Sequence, residues 1–115
     1  MYKDIQELES KLFACEQCAL NNDYNLGATS YNGLSTAQLM LVGEGPGQVE
    51  DDYGVPLVGP SGQLLDKALK SVGITRDCIY TTNVVKCRPR SNRTPTMQEA
   101  TVCADRWLAY EIALV

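Results

Sequence analysis

Apolar positions along the 115 residues form two helical stripes and two short continuous runs. Asp4 with Glu7 reads as a capping box, and Ile5, Leu8, Leu12 and Phe13 recur at helical spacing. This predicts a first helix ending near Cys15. Residues 19–36, rich in Asn, Gly, Ser and Thr, read as a loop. Leu39-Met40-Leu41-Val42 runs without interruption into Gly43, the pattern of a buried parallel strand. A long loop to Pro60 is expected next. Ser61 is then expected to cap a second helix, with Leu64, Leu65, Ala68, Leu69 and Val72 as its stripe and Gly73 as its stop. Ile79 to Val85, rich in β-branched residues, reads as a second strand. A third helix is predicted to start near Thr94-Pro95 or at Thr96, with Glu99 as a capping-box partner.

The order helix, strand, helix, strand, helix is a βαβ-type α/β layout with a right-handed crossover, in one domain spanning 1–115. Two strands fall short of a doubly wound sheet. The chain stops at Glu111-Ile112-Ala113-Leu114-Val115, where a further strand is expected, so it reads as cut short at the C-terminus.

Composition adds limits. The chain is 44% hydrophobic and 21% charged, ordinary for a globular protein. No apolar run is long enough to cross a membrane, and the N-terminus lacks a hydrophobic signal core, so a cytoplasmic protein is expected. The net charge of -4 argues against binding nucleic acid over the whole surface. Yet Lys86, Arg88, Arg90 and Arg93, four of the ten basic residues, fall in eight positions with no acid among them. That segment suits a polyanion, and on charge alone suits a solvated loop equally well. Five cysteines in such a chain do not suggest a disulfide framework. The absence of histidine excludes a Cys/His zinc finger, a Ser-His-Asp triad and a His general base from this chain.

Candidate chemistry lies in four places. Cys15 and Cys18 form a C-x2-C pair, and with Cys87 and Cys103 they make four thiolates, a set that suits zinc or an iron–sulfur cluster. The alternative is a set of buried core cysteines. Cys78 is expected to be packed and unligated. Gly43-Glu44-Gly45-Pro46-Gly47 follows the first strand and allows a ligand to approach the backbone, although it is neither a Walker loop nor a dinucleotide fingerprint. Glu50, Asp51 and Asp52 suit orienting a water or stabilising a cation, or simple solvation. Asn83, inside an apolar strand, carries an amide able to bond a donor and an acceptor on a base edge, or to serve structure alone.

Together these stretches resemble the family 4, iron–sulfur uracil-DNA glycosylases. The resemblance rests on Val42-Gly43-Glu44-Gly45-Pro46-Gly47-Gln48-Val49-Glu50-Asp51 and on Gly54-Val55-Pro56-Leu57-Val58-Gly59-Pro60-Ser61-Gly62-Gln63-Leu64-Leu65. It continues through Thr82-Asn83-Val84-Val85-Lys86-Cys87-Arg88-Pro89, Asn92-Arg93-Thr94-Pro95 and the cysteine spacing. It implies a partial three-layer α/β/α fold with a short parallel sheet. It also implies a structural [4Fe–4S] cluster on Cys15, Cys18, Cys87 and Cys103. The implied activity is hydrolysis of the N-glycosidic bond of a uracil nucleotide extruded from single- or double-stranded DNA, in base-excision repair. Glu50 and Glu44 are then the candidate catalytic acids. Gly45, Leu57 and Asn83 are the substrate contacts, with Asn83 reading the uracil edge. Ser61 and Gly62, at a helix N-terminus, and Lys86, Arg88 and Arg93 are the DNA contacts.

Two departures stand out. The family has Phe where this chain has Leu57, which keeps an apolar wall but loses base stacking worth about 1–3 kcal/mol. The family's C-terminal half, with its His-Pro-Ser-type motif, is absent from the chain. Three readings follow: a glycosylase that is weak or inactive as this chain alone, a non-catalytic iron–sulfur module binding DNA or a replication protein, or half of a split glycosylase completed by a second polypeptide.

Overall fold

The protein is described from a computed structural model that covers residues 2–15 and 25–115. Helix α1 spans Ile5–Phe13, and the Asp4 carboxylate accepts the Glu7 N–H at 2.9 Å. Its Ile5, Leu8 and Leu12 are buried, whereas Phe13, expected on the same stripe, points to solvent.

Strand β1 (Asn32–Gly33) lies in the stretch read from sequence as loop, because two residues carry no periodicity. Strand β2 (Met40–Gly43) and strand β3 (Tyr80–Asn83) pair in parallel, from Met40 opposite Tyr80 to Gly43 opposite Asn83. The sheet is mixed, in the order β1-β3-β2, with β1 antiparallel to β3. All of β3 is buried, but β2 is a sheet edge and Val42 remains exposed, so only the central strand fits the fully buried pattern.

Two helices connect β2 to β3. Helix α2 (Gln48–Tyr53) replaces part of the expected long loop. Gly47 caps it, Glu50 returns to the Gly47 N–H, and Gly54 ends it in the left-handed region at φ 76. Helix α3 (Pro60–Ser71) is capped by Gly59, not by Ser61. Pro60 fills the first helical position, where a missing N–H costs nothing, and so moves the start one residue earlier. Val72 and Gly73 follow α3, and the Ile74 and Gly73 N–H groups close onto the Leu69 and Lys70 carbonyls. Leu64 and Val72 on its stripe are exposed, and Leu69 is buried.

Helix α4 (Met97–Cys103) starts at the Thr96 cap with Glu99 as reciprocal partner, as the sequence predicts. It continues through one π turn (Ala104–Leu108) into helix α5 (Ala109–Leu114). The core joins α1, β3 and α4–α5: Ile5, Leu8 and Leu12 pack with Tyr80, Val85, Cys87, Cys103 and Trp107. Tyr2 stacks on Trp107 at 5.6 Å between ring centroids and meets Tyr110 edge-on.

Candidate functional site

A pocket of about 350 Å³ opens at the carboxyl edge of the parallel pair β2–β3. Ligand crevices of α/β sheets form there because the loops leaving the strands diverge. The turn after β2 supplies Gly43, Glu44, Gly45, Pro46 and Gly47, and the loop after β3 supplies Pro89, Asn92, Arg93 and Pro95. Glu50, Leu57, Ser61 and Asn83 complete the lining. Seven residues expected at a site from sequence therefore meet here: Glu44, Gly45, Glu50, Leu57, Ser61, Asn83 and Arg93.

Asn83 sits at the end of β3, beside its register partner Gly43, and is 4% exposed. A Cβ at Gly43 would stand 2.5 Å from Asn83 Oδ1, so only glycine lets the carboxamide lie there. Asn83 lines the pocket from that position.

Leu57 forms the apolar wall from a left-handed backbone, φ 58, which is costly for a leucine. Two residues hold it there. Arg76 Nη2 donates to the Leu57 carbonyl at 2.8 Å, while Arg76 Nη1 pairs with Asp66 at 3.1 Å. Gly62 passes directly beneath, where any Cβ would collide with that same carbonyl. Gly62 is thus a packing position under the wall.

Glu50 accepts three backbone N–H groups: Gly47 at 3.1 Å on one oxygen, Val58 at 3.0 Å and Gly59 at 2.5 Å on the other. The carboxylate clamps the turn after β2 to the loop before α3, and it engages the N-cap N–H of α3. Glu44, by contrast, is exposed and lines the pocket. Asp51 is buried with both oxygens on the Leu26 N–H, and Asp52 is exposed.

The basic segment separates into different roles. Lys86 is 1% exposed, so the expected phosphate contact is corrected: its ammonium donates to Thr82 Oγ1, the Asn83 carbonyl and the Glu111 carboxylate inside the core. Burial pushes the Lys86 pKa down, with Glu111 opposing the shift. Glu111 also accepts from Tyr80 and Thr82. Burial, and then the Glu111 charge, push the Tyr80 phenol up. Arg93 makes a two-pronged pair with Glu99 at 2.9 and 2.8 Å. Arg88 donates to Asn92 at 2.8 Å, which shapes a loop where Ser91 and Asn92 both have positive φ.

Cys15, Cys87 and Cys103 gather in one apolar cluster with Trp107. Cys18 lies outside the described residues. Cys78, expected to be packed, is exposed beside Thr75 because it falls in a turn ahead of β3. Among the described residues, no group of three or more cysteine or acidic side chains is placed to hold a metal ion. Two observations nevertheless fit a sulfur-rich group bound among these thiols. Cys103 Sγ accepts the Lys86 N–H at 3.3 Å, and the buried Trp107 Nε1–H has no acceptor among the described residues. An orphaned buried donor costs free energy, and an anionic sulfur would satisfy it.

Sequence reasoning missed Glu111, Thr82, Tyr80 and Arg76. Glu111 alone left a trace, as the one acid within the apolar run 107–115.

The sequence model of the Uracil DNA glycosylase superfamily matches residues 30–115. The type-4 uracil-DNA glycosylase of Pyrobaculum aerophilum is 43% identical over 100 residues, 87% of this chain and 50% of that protein. That of Thermotoga maritima is 40% identical over 108 residues, 93% of this chain and 56% of that protein. The Archaeoglobus fulgidus protein is 38% identical over 106 residues, 90% and 51% respectively. The chain spans about half the length of the curated relatives it matches.

Proposed function

Since this chain belongs to the Uracil DNA glycosylase superfamily, we propose that its pocket receives a uracil nucleotide turned out of DNA and supports hydrolysis of the N-glycosidic bond, in base-excision repair. The observation that carries the reading is that Asn83 and the apolar Leu57 line the same pocket. Uracil presents an acceptor at O4 and a donor at N3. The Asn83 Nδ2–H and Oδ1 match that pair, and cytosine inverts it.

In the reaction, the bond from C1′ to the base breaks, water adds its oxygen to C1′, and the base leaves with the bonding electrons and then a proton. Positive charge on the sugar and negative charge on the base develop together. Glu44, exposed on the pocket lining, is assigned to orient the water, and the Glu50 carboxylate to stabilise the developing positive charge on the sugar. Asn83 donates toward the oxygen that gains charge. These 115 residues supply no histidine to donate a hydrogen bond to the leaving base. A missing donor of this kind costs roughly a hundred- to a thousand-fold in rate.

We further assign Cys15, Cys18, Cys87 and Cys103 as the holders of a [4Fe–4S] cluster whose duty is to tie α1 to the loop after β3. Visible absorption and iron content of anaerobically purified protein test this, and zinc in place of iron overturns it. Single-turnover excision of uracil from a single strand tests the activity, with slow but measurable release expected. A second reading, binding without chemistry, is favoured by one observation: both Glu50 oxygens are spent on backbone N–H groups. Uracil-selective binding with no base release would establish that reading instead.

A further inference from the structure

Lys86 has all three of its ammonium protons engaged behind the pocket. It donates at 2.6 Å to Thr82 Oγ1, at 2.7 Å to the Asn83 carbonyl, and to Glu111. Glu111 is fixed in turn by the Tyr80 hydroxyl and by Thr82 Oγ1 at 2.8 Å. The four side chains are 0–2% exposed. The next atom pair along the backbone is pinned as well, since the Val84 N–H donates to the Gly43 carbonyl at 2.9 Å. The peptide unit joining Asn83 to Val84 is thus held at both ends, its oxygen by Lys86 and its N–H by the turn after β2.

Stability alone gives no reason for this arrangement. Taking two charges out of water is costly, and apolar residues of similar volume commonly stabilise a core as well or better. Base recognition does give a reason. A carboxamide is nearly symmetric, and half a turn about its last torsion exchanges donor and acceptor. An Asn that selects uracil is therefore one sloppy rotation away from accepting cytosine. Selectivity requires that the Cα of Asn83, and the Gly43 surface against which the amide lies, stay fixed.

We infer that Lys86 and Glu111 are positioning residues for base selection, acting through the Asn83 peptide unit and never touching DNA. This inference rests on the reading of Asn83 as the residue that meets the base.

The test compares the intact chain with the double variant Lys86→Met/Glu111→Met, which replaces both charges by apolar chains of similar length. Affinity is measured for two short single strands that differ only in one dU or dC. The parent is expected to prefer dU. The folded double variant is expected to lose that preference by about tenfold or more, while its affinity for the dC strand, carried by phosphate contacts, changes less than about twofold. A uniform structural weakening would lower both affinities together. An unchanged dU preference in the folded double variant overturns the inference and leaves the Asn83 reading standing. No preference in the parent overturns the Asn83 reading itself, and the inference falls with it. Circular dichroism reports whether the double variant folds. If it does not, Glu111→Gln takes its place, because it removes the charge and keeps an acceptor for Tyr80 and Thr82. Its dU preference is expected to fall at least about threefold, and no change there overturns the inference.

Discussion

Glu50→Gln separates a clamp from a chemical acid. The carboxylate accepts three backbone N–H groups, one on one oxygen and two on the other. An amide of the same shape has a single accepting oxygen. With that oxygen toward Val58 and Gly59, its NH2 faces the Gly47 N–H and two donors oppose each other. One bond to a charged acceptor, worth about 1.5–3 kcal/mol, is lost, and the other two weaken to neutral bonds. The site is half-buried, which places the expected loss near the low end, at about 2 kcal/mol. At roughly 4 °C per kcal/mol for a domain of this size, the variant should melt about 8 °C lower in far-UV circular dichroism. The Gly47 turn and the Val58–Gly59 loop should lose hydrogen-exchange protection together, since they share the clamp. A melting shift smaller than about 1–2 °C would refute the reasoning. It would mean that the loops hold their places without Glu50.

Three further outcomes are expected. Gly62→Ala drives a methyl into the Leu57 carbonyl, a backbone atom that cannot swing aside, and should cost about 1–3 kcal/mol in urea unfolding; a neutral result would show that the pocket wall is loose. Leu57→Phe restores an aromatic face and should tighten binding of a dU strand by at least about fivefold, read by fluorescence anisotropy; equal binding would remove Leu57 from the base contact. The Glu99 pKa lies near 2, held down first by the Arg93 hydrogen bonds, with slight burial opposing and the Thr96 N–H assisting. Because the folded value is depressed, the stabilisation is complete above the ordinary glutamate range and disappears as pH falls toward about 2. Arg93→Ala should raise the Glu99 midpoint toward its ordinary value in a carboxyl NMR titration, and an unmoved midpoint would show that Thr96 alone sets it.

Much of the fold was legible because it is encoded locally. The Asp4 and Thr96 caps, the run into Gly43 and the β-branched residues of β3 announce their elements within a few positions. The pocket was legible through its glycine-rich turn and Asn83. What escaped depends on partners distant in the chain. Lys86 reads as one cation of a basic loop, and only Glu111, 25 residues further on, shows that it belongs to the core. Glu50 reads as a free acid until the fold brings Val58 and Gly59 to it. Helix α2 was hidden because a six-residue acidic segment has almost no apolar stripe, and β1 because two residues have no period.

The packing of Tyr2 against Trp107 and Tyr110 joins α1 to the last turns of the final helix. During synthesis, α1 must therefore wait for a partner made some 95 residues later. At about 5–20 residues per second, that interval is roughly 5–20 s. Leu8 and Leu12 lack the Trp107 side of their cover throughout it, so a ribosome-bound chain offers chaperones a short, partly covered amphipathic helix.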